Sequence, residues 1–156
     1  MPAILFVCSA NQCRSPMAEV LFREHLEQMG VNDEWRVESA GVWAMAEAPA
    51  MALAREVMME RGLDLNHHRS QGVNAELLRE FDLILVMEDT HRKSLLRNYP
   101  EEADKVYLLS AMANQEGGVD DPVYGTKETY RDTVEELVDL IEGGFERIVE
   151  QVSKSN

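Results

Sequence analysis

Ile4-Leu5-Phe6-Val7-Cys8-Ser9-Ala10-Asn11-Gln12-Cys13-Arg14-Ser15-Pro16 is the stretch that decides how this chain folds. Residues 3 to 7 form a short apolar run, the pattern of a parallel strand buried on both faces. Ser15 followed by Pro16 reads as an N-cap and a proline at the first helical position, so a helix is expected directly after the loop. The loop then carries a thiol, Cys8, at one end and a guanidinium, Arg14, at the other. A loop that ends on a helix N-terminus meets unpaired backbone N–H groups and a partial positive charge. These suit a phosphate dianion and favour the anionic form of a thiol beside them. Arg14 adds a planar fork able to take two phosphate oxygens and to hold equatorial oxygens as charge builds on them. A lone cysteine is more often an inert core residue. Strand, thiol, polar loop, Arg, Ser, Pro and amphipathic helix in this order instead build a phosphate cradle, with Cys8 as nucleophile.

Outward from this stretch, strand-like runs at 3 to 7, 35 to 39, 82 to 87 and 105 to 109 alternate with helical patterns. The helical patterns cover 16 to 29, 48 to 61, 74 to 80, 89 to 98 and 126 to 152. That alternation predicts an α/β fold: a single doubly wound domain, residues 1–156, with a four-stranded parallel sheet and helices on both faces. At 156 residues and 45% hydrophobic the chain is long enough for one well-packed domain. The last helix has the clearest period, with Tyr130, Val134, Leu137, Ile141, Phe145, Ile148 and Val152 at steps of three or four. Gly143-Gly144 interrupts it and is expected to be a weak point. In such a sheet the ligand crevice lies beyond the carboxyl ends of the strands. Loops after Val7, Ser39 and Leu109 open there, so Cys8, Trp43 and Asp121 are expected at one mouth. The irregular region from Ser110 to Gly125 is long enough to be functional.

Composition narrows the partners. With 15 Lys+Arg against 29 Asp+Glu, a net charge of −14 argues against nucleic acid and anionic membrane, both of which need a positive face. It favours basic or neutral segments as substrates. No membrane span or secretory signal is read from the sequence, which leads to the expectation of a cytoplasmic protein. The two cysteines, Cys8 and Cys13, are too few for a four-cysteine zinc site, and His67, His68 and His91 have no ligand spacing with them. Neither a metal nor a cofactor is expected. If both thiols face one loop, they could close a disulfide under oxidation.

The segment from Val7 to Pro16 resembles the signature loop of the low-molecular-weight protein tyrosine phosphatases, roughly V-C-x-G-N-x-C-R-S-P. Val7, Cys8, Asn11, Cys13, Arg14, Ser15 and Pro16 match, with Ala10 where the family has glycine. If Ala10 must take positive φ, its methyl costs about 1 kcal/mol. Glu38-Ser39-Ala40-Gly41, Gly62-Leu63-Asp64-Leu65-Asn66-His67-His68-Arg69, Asp82-Leu83-Ile84-Leu85-Val86-Met87 and Asp121-Pro122 resemble further family segments in the family's order. The resemblance implies the phosphotyrosine protein phosphatase I-like fold and two-step hydrolysis through a cysteinyl-phosphate, with phosphate as product. It implies Asp121 as general acid, with Asp120 as backup, and Ser9, Ala10, Asn11, Gln12, Cys13 and Ser15 around the phosphate. Ser39 and a buried His68 would support the loop, and Trp43 and Tyr124 would form substrate walls.

The resemblance is less uniform at the substrate positions. Gln12 stands where phosphotyrosine enzymes of the family usually have an aliphatic residue and the related bacterial protein-arginine phosphatases have threonine. Val123-Tyr124 stands where the tyrosine phosphatases often have two aromatics. Gly125-Thr126-x-Glu128-x-Tyr130 and Met87-x-x-x-His91-x-Lys93 look closer to the arginine-phosphatase branch. Phosphotyrosine in a protein or peptide is the expected substrate, and phosphoarginine the alternative. Arsenate reduction would need a relay cysteine beyond Cys13, which the sequence lacks, so only an external thiol could serve. A phosphate-binding module without catalysis would keep Arg14 and the loop amides but has no need of Cys8 and Asp121.

Overall fold

The computed structural model describes residues 1–155. Four strands, β1 (Ala3–Cys8), β2 (Arg36–Gly41), β3 (Leu83–Val86) and β4 (Val106–Leu108), form one parallel sheet in the order β2-β1-β3-β4. β1 pairs on one side with β2, Ile4 opposite Val37, and on the other with β3, Ile4 opposite Leu83. The chain leaves β1 for β2 and then crosses back over β1 to reach β3. The carboxyl end of β1 is therefore the point where the winding reverses and a crevice opens.

Alternation along β1 feeds two apolar layers, because successive side chains point to opposite faces. Ile4 and Phe6 pack with α1 (Arg14–Gln28), α2 (Ala52–Met59) and α6 (Lys127–Ser155). Leu5 and Val7 pack on the other face with Leu77 and Leu78 of α3 (Ala75–Arg79) and Leu95 of α4 (Asp89–Asn98). The expected α/β arrangement with helices on both faces is the one observed. Asn74, the first residue of the expected helical pattern, is the N-cap of α3, its Oδ1 accepting from Leu77 N–H at 2.8 Å.

Three local expectations are corrected. The first helix starts at Arg14 with Cys13 at its N-cap, so Ser15 is not the cap and Pro16 lies within the first turn, where its missing N–H costs nothing. The helix expected from 48 begins only at Ala52, because Glu47 and Ala48 N–H bond to Ser70 and Met51 N–H bonds to the Gln12 carbonyl. The strand expected through 109 ends at Leu108 and passes directly into a short helix, α5 (Leu109–Met112).

Gly143-Gly144 proves to be a contact rather than a weak point. α6 runs through both glycines without a break, and its stripe of Tyr130, Val134, Leu137, Ile141, Ile148 and Val152 is buried as its period predicts. A Cβ on Gly144 would stand 2.8 Å from Met112 Cβ and 3.0 Å from the Met112 carbonyl carbon, so the glycine lets α5 lie directly on α6. A Cβ on Gly143 would meet only Ala113 Cβ, at 3.5 Å. Gly144→Ala is expected to destabilise the fold by about 1–3 kcal/mol through overpacking. Gly143→Ala should stabilise it by up to about 1 kcal/mol through helix propensity. Urea midpoints of the two variants check this opposition of sign.

Candidate active site

β1 delivers Cys8 to the crevice, and α1 receives the chain again at Arg14. The turn between them requires one residue in the left-handed region. That residue is Asn11, at φ 57°, a type that tolerates it. Ala10 is not among the positive-φ residues, so its methyl carries no such cost. At the end of β2, Gly41 admits the loop: a Cβ there would stand 2.5 Å from the Ser9 carbonyl oxygen.

Asn11 is fully buried and uses every polar atom of its amide. Its Nδ2 donates to Ser15 Oγ at 2.8 Å and to Ser39 Oγ at 2.9 Å, and its Oδ1 accepts from Gln71 N–H at 2.9 Å. His68 Nε2 lies 2.7 Å from the Asn11 carbonyl oxygen; His68 is half-buried rather than buried. Ser39 Oγ donates to Glu19 Oε1 at 2.7 Å, and burial pushes the Glu19 carboxyl up despite its ion pair with Arg23. Ser15 Oγ accepts from Asn11, and its one proton has two acceptors within reach, Cys8 Sγ at 2.9 Å and the Ala40 carbonyl at 3.4 Å, of which the sulfur is the nearer. The chain of donors thus ends on the sulfur.

Arg14 is only 2% exposed, and its guanidinium is held from several sides. Nη1 donates to Glu88 Oε2 and to the Val119 carbonyl, each at 2.7 Å. Nη2 donates to Ser9 Oγ at 3.4 Å and lies 3.5 Å from Asp121 Oδ2. The Asp121 Oδ1 accepts from Val123 N–H at 3.1 Å, a turn that keeps the carboxylate at the rim; Asp120 and Asp121 are both exposed, Asp121 being the one that reaches Arg14. His91 is buried beside this group, and burial, aided by Arg14, holds its imidazole down at about 4. Burial and the neighbouring Cys8 push the Cys13 thiol far up, leaving it neutral at ordinary pH.

Cys8, Ala10, Gln12, Cys13, Arg14, Met51, Asp121 and Val123 line one cleft. The sequence-predicted thiol, guanidinium and carboxylate therefore meet, and two free thiols share one wall. Trp43 and Tyr124 are not in this lining; they are 71% and 100% exposed. Gln12 Nε2 is tied to the Pro49 carbonyl at 3.0 Å. Sequence reasoning missed Glu88, Glu19, Gln71 and Met51, and gave His91 no role. An acid directly after the apolar run 83–87, at the crevice end of a parallel strand, was the available signal for Glu88. Among the described residues, no group of three or more His, Cys, Asp or Glu is arranged to hold a metal ion, and no helix is long and apolar enough to cross a membrane. Iodoacetamide at neutral pH is expected to label Cys8 and spare Cys13; peptide mass spectrometry of the wild type, Cys8→Ser and Cys13→Ser reads the site of modification.

The whole chain is similar to known proteins. The family described as low molecular weight phosphotyrosine protein phosphatase matches residues 3–156. The protein-arginine-phosphatase of Bacillus subtilis (strain 168) is 37% identical over 139 residues, 88% of this chain and 91% of that protein. The low molecular weight protein-tyrosine-phosphatase Etp of Escherichia coli (strain K12) is 35% identical over 128 residues, 82% of each. The crystal structure of the low molecular weight protein tyrosine phosphatase from T. tengcongensis superposes with a TM-score of 0.88 at 40% identity, covering 94% of this chain and 99% of that one. Matched almost from end to end, with the α/β frame of its relatives, the chain belongs to the low molecular weight phosphotyrosine protein phosphatase family, a family of hydrolases.

Proposed function

We propose that the protein removes phosphate from phosphorylated side chains of proteins, phosphotyrosine among them, using Cys8 as nucleophile. The observation that carries this reading is the convergence of Cys8, Arg14 and Asp121 on one cleft, with the Ser15 hydroxyl 2.9 Å from the sulfur. The Cys8 thiolate attacks phosphorus in line, forming an S–P bond as the bond to the leaving oxygen breaks. Arg14 and the loop amides hold the equatorial oxygens. Asp121 gives its proton to the leaving oxygen and later takes one from the water that hydrolyses the cysteinyl-phosphate. Ser15 donates to the sulfur as it departs from phosphorus. Phosphate and a neutral alcohol leave, and Asp121 is returned protonated. A thiol with its own donor and a rim carboxylate are of no use to a phosphate sensor, which favours the catalytic reading.

A second substrate reading, phosphoarginine, is supported by the cleft walls. Among the described residues, no aromatic side chain is in the cleft lining to stack on a phenyl ring. The Gln12 amide, with its nitrogen tied to Pro49, has its carbonyl oxygen left as an acceptor, and Asp121 supplies a carboxylate. Both suit the N–H groups of a phosphoguanidinium, whereas a phenyl ring offers neither a donor. The relative named a protein-arginine-phosphatase accords with this.

The deciding experiment measures kcat/KM for phosphotyrosine and phosphoarginine peptides on one preparation, with Cys8→Ser as control. Faster phosphotyrosine turnover supports the first substrate, faster phosphoarginine turnover the second; activity that survives Cys8→Ser overturns the mechanism. Arg14→Lys is expected to lower kcat/KM by at least about a hundredfold, since a point charge cannot replace two aligned hydrogen bonds. Asp121→Asn should slow alkyl phosphates more than activated aryl phosphates; equal slowing would place the acid elsewhere.

A further inference from the structure

His91 has no part in the chemistry above, yet it is buried against the phosphate loop. Its ring is oriented from both ends. The Glu88 backbone N–H, which can only donate, points at Nδ1 from 3.1 Å. Nδ1 is therefore bare, and the ring proton is on Nε2. Nε2 lies 2.8 Å from Ser9 Oγ, so Nε2–H donates to that hydroxyl. The same oxygen receives Arg14 Nη2 at 3.4 Å.

The first turn of α4 thus grips both arms of one guanidinium. Glu88, at the N-cap, binds Nη1 directly; His91, three residues on and on the same helix face, reaches Nη2 through Ser9. Rotation of the guanidinium out of this plane would break one bond or the other. The charged groups facing the ring are Arg14 from the phosphate loop, Glu88 from α4, with Oε2 3.7 Å from Nε2, and Asp121 from the rim. A neutral ring suits a place beside Arg14, and burial keeps it so.

We propose that His91 is a positioning residue of the phosphate loop: its Nε2–H fixes the Ser9 hydroxyl and, through it, the orientation of the Arg14 fork that receives the phosphoryl group. This rests on the phosphatase reading above. His91 is not in the cleft lining. It acts on geometry, and a misplaced fork is paid for in the transition state, where the equatorial oxygens carry most charge.

Two substitutions separate the ends of the ring. His91→Asn keeps an acceptor for the Glu88 N–H but cannot reach Ser9. His91→Gln extends an amide N–H to the Nε2 position while giving up the Nδ1 acceptor. On para-nitrophenyl phosphate, His91→Asn is expected to lower kcat/KM about tenfold or more, mainly in kcat, and His91→Gln to recover most of that loss. Melting temperatures should not follow the same order. Ser9→Ala breaks the bond from its other end without touching α4, and is expected to match His91→Asn; the double variant should be no slower than the slower single. The proposal is overturned if His91→Asn turns over like wild type, if both His91 variants lose activity in step with melting temperature, or if the Ser9 and His91 losses multiply in the double variant. Failure of the phosphatase reading has a separate signature, wild-type turnover that persists in Cys8→Ser, and would remove both.

Discussion

A guanidinium buried to 2% exposure has to be surrounded by acceptors, and much of the crevice is organised by that demand on Arg14. Leaving a buried charge unpaired costs several kcal/mol, more than the margin of an ordinary domain can lose at one point. Its acceptors come from distant parts of the chain: Ser9 from the loop after β1, Glu88 from the end of β3, and Val119 and Asp121 from the loop before α6. Holding Arg14 therefore also brings the rim carboxylate to the thiol. The phosphate site and the rim are coupled by the same side chain that is placed to bind the anion.

A second network holds the loop backbone. Asn11 lies in the left-handed region, and its amide bonds to Ser15, Ser39 and Gln71 tie the loop to α1, the end of β2 and the segment after it. The direction of donation follows from Glu19, whose oxygen accepts from Ser39, so that Ser39 accepts from Asn11. Ser15 accepts from the same amide, and its own hydrogen has Cys8 Sγ at 2.9 Å as the nearer acceptor and the Ala40 carbonyl at 3.4 Å as the farther. A loop held so completely presents its N–H groups to an anion with little left to reorganise, which is where such sites derive their strength.

Acidity is unevenly relevant to this site. The chain carries a net charge of −14, yet the cleft sets Arg14 at the N-terminus of α1, with Asp121 as the carboxylate in its lining. Long-range charge then acts on the approach of the protein carrying the phosphate, while the local cradle acts on the phosphate itself. The exposed Trp43 and Tyr124 stand outside the cleft lining, leaving Gln12, Met51 and Val123 as walls.

The local pattern sufficed for the α/β frame, the parallel strands and the thiol–guanidinium loop, because apolar periods, turn residues and a compact motif are properties of neighbouring residues; Asp121 was marked only by the family resemblance. The cap of α1 was misread because the Ser15 hydroxyl is engaged with Cys8 and Asn11 of the loop, and the start of α2 because the segment 47–51 bonds to Ser70 and Gln12, far along the chain. Gly144 looked like a weakness for the same reason: propensity counts the glycine, but the gain comes from Met112 lying against it. Glu88 has one local trace, its place directly after an apolar run, but Glu19 and the His91–Ser9 bond carry no local signature, since each acquires its role only when α1 or α4 is brought beside its partner. The sequence by itself determined which groups could handle a phosphate. Tertiary structure alone decided what surrounds them, because burial, the direction of hydrogen bonds and the walls of a cleft exist only between elements that the fold has placed together.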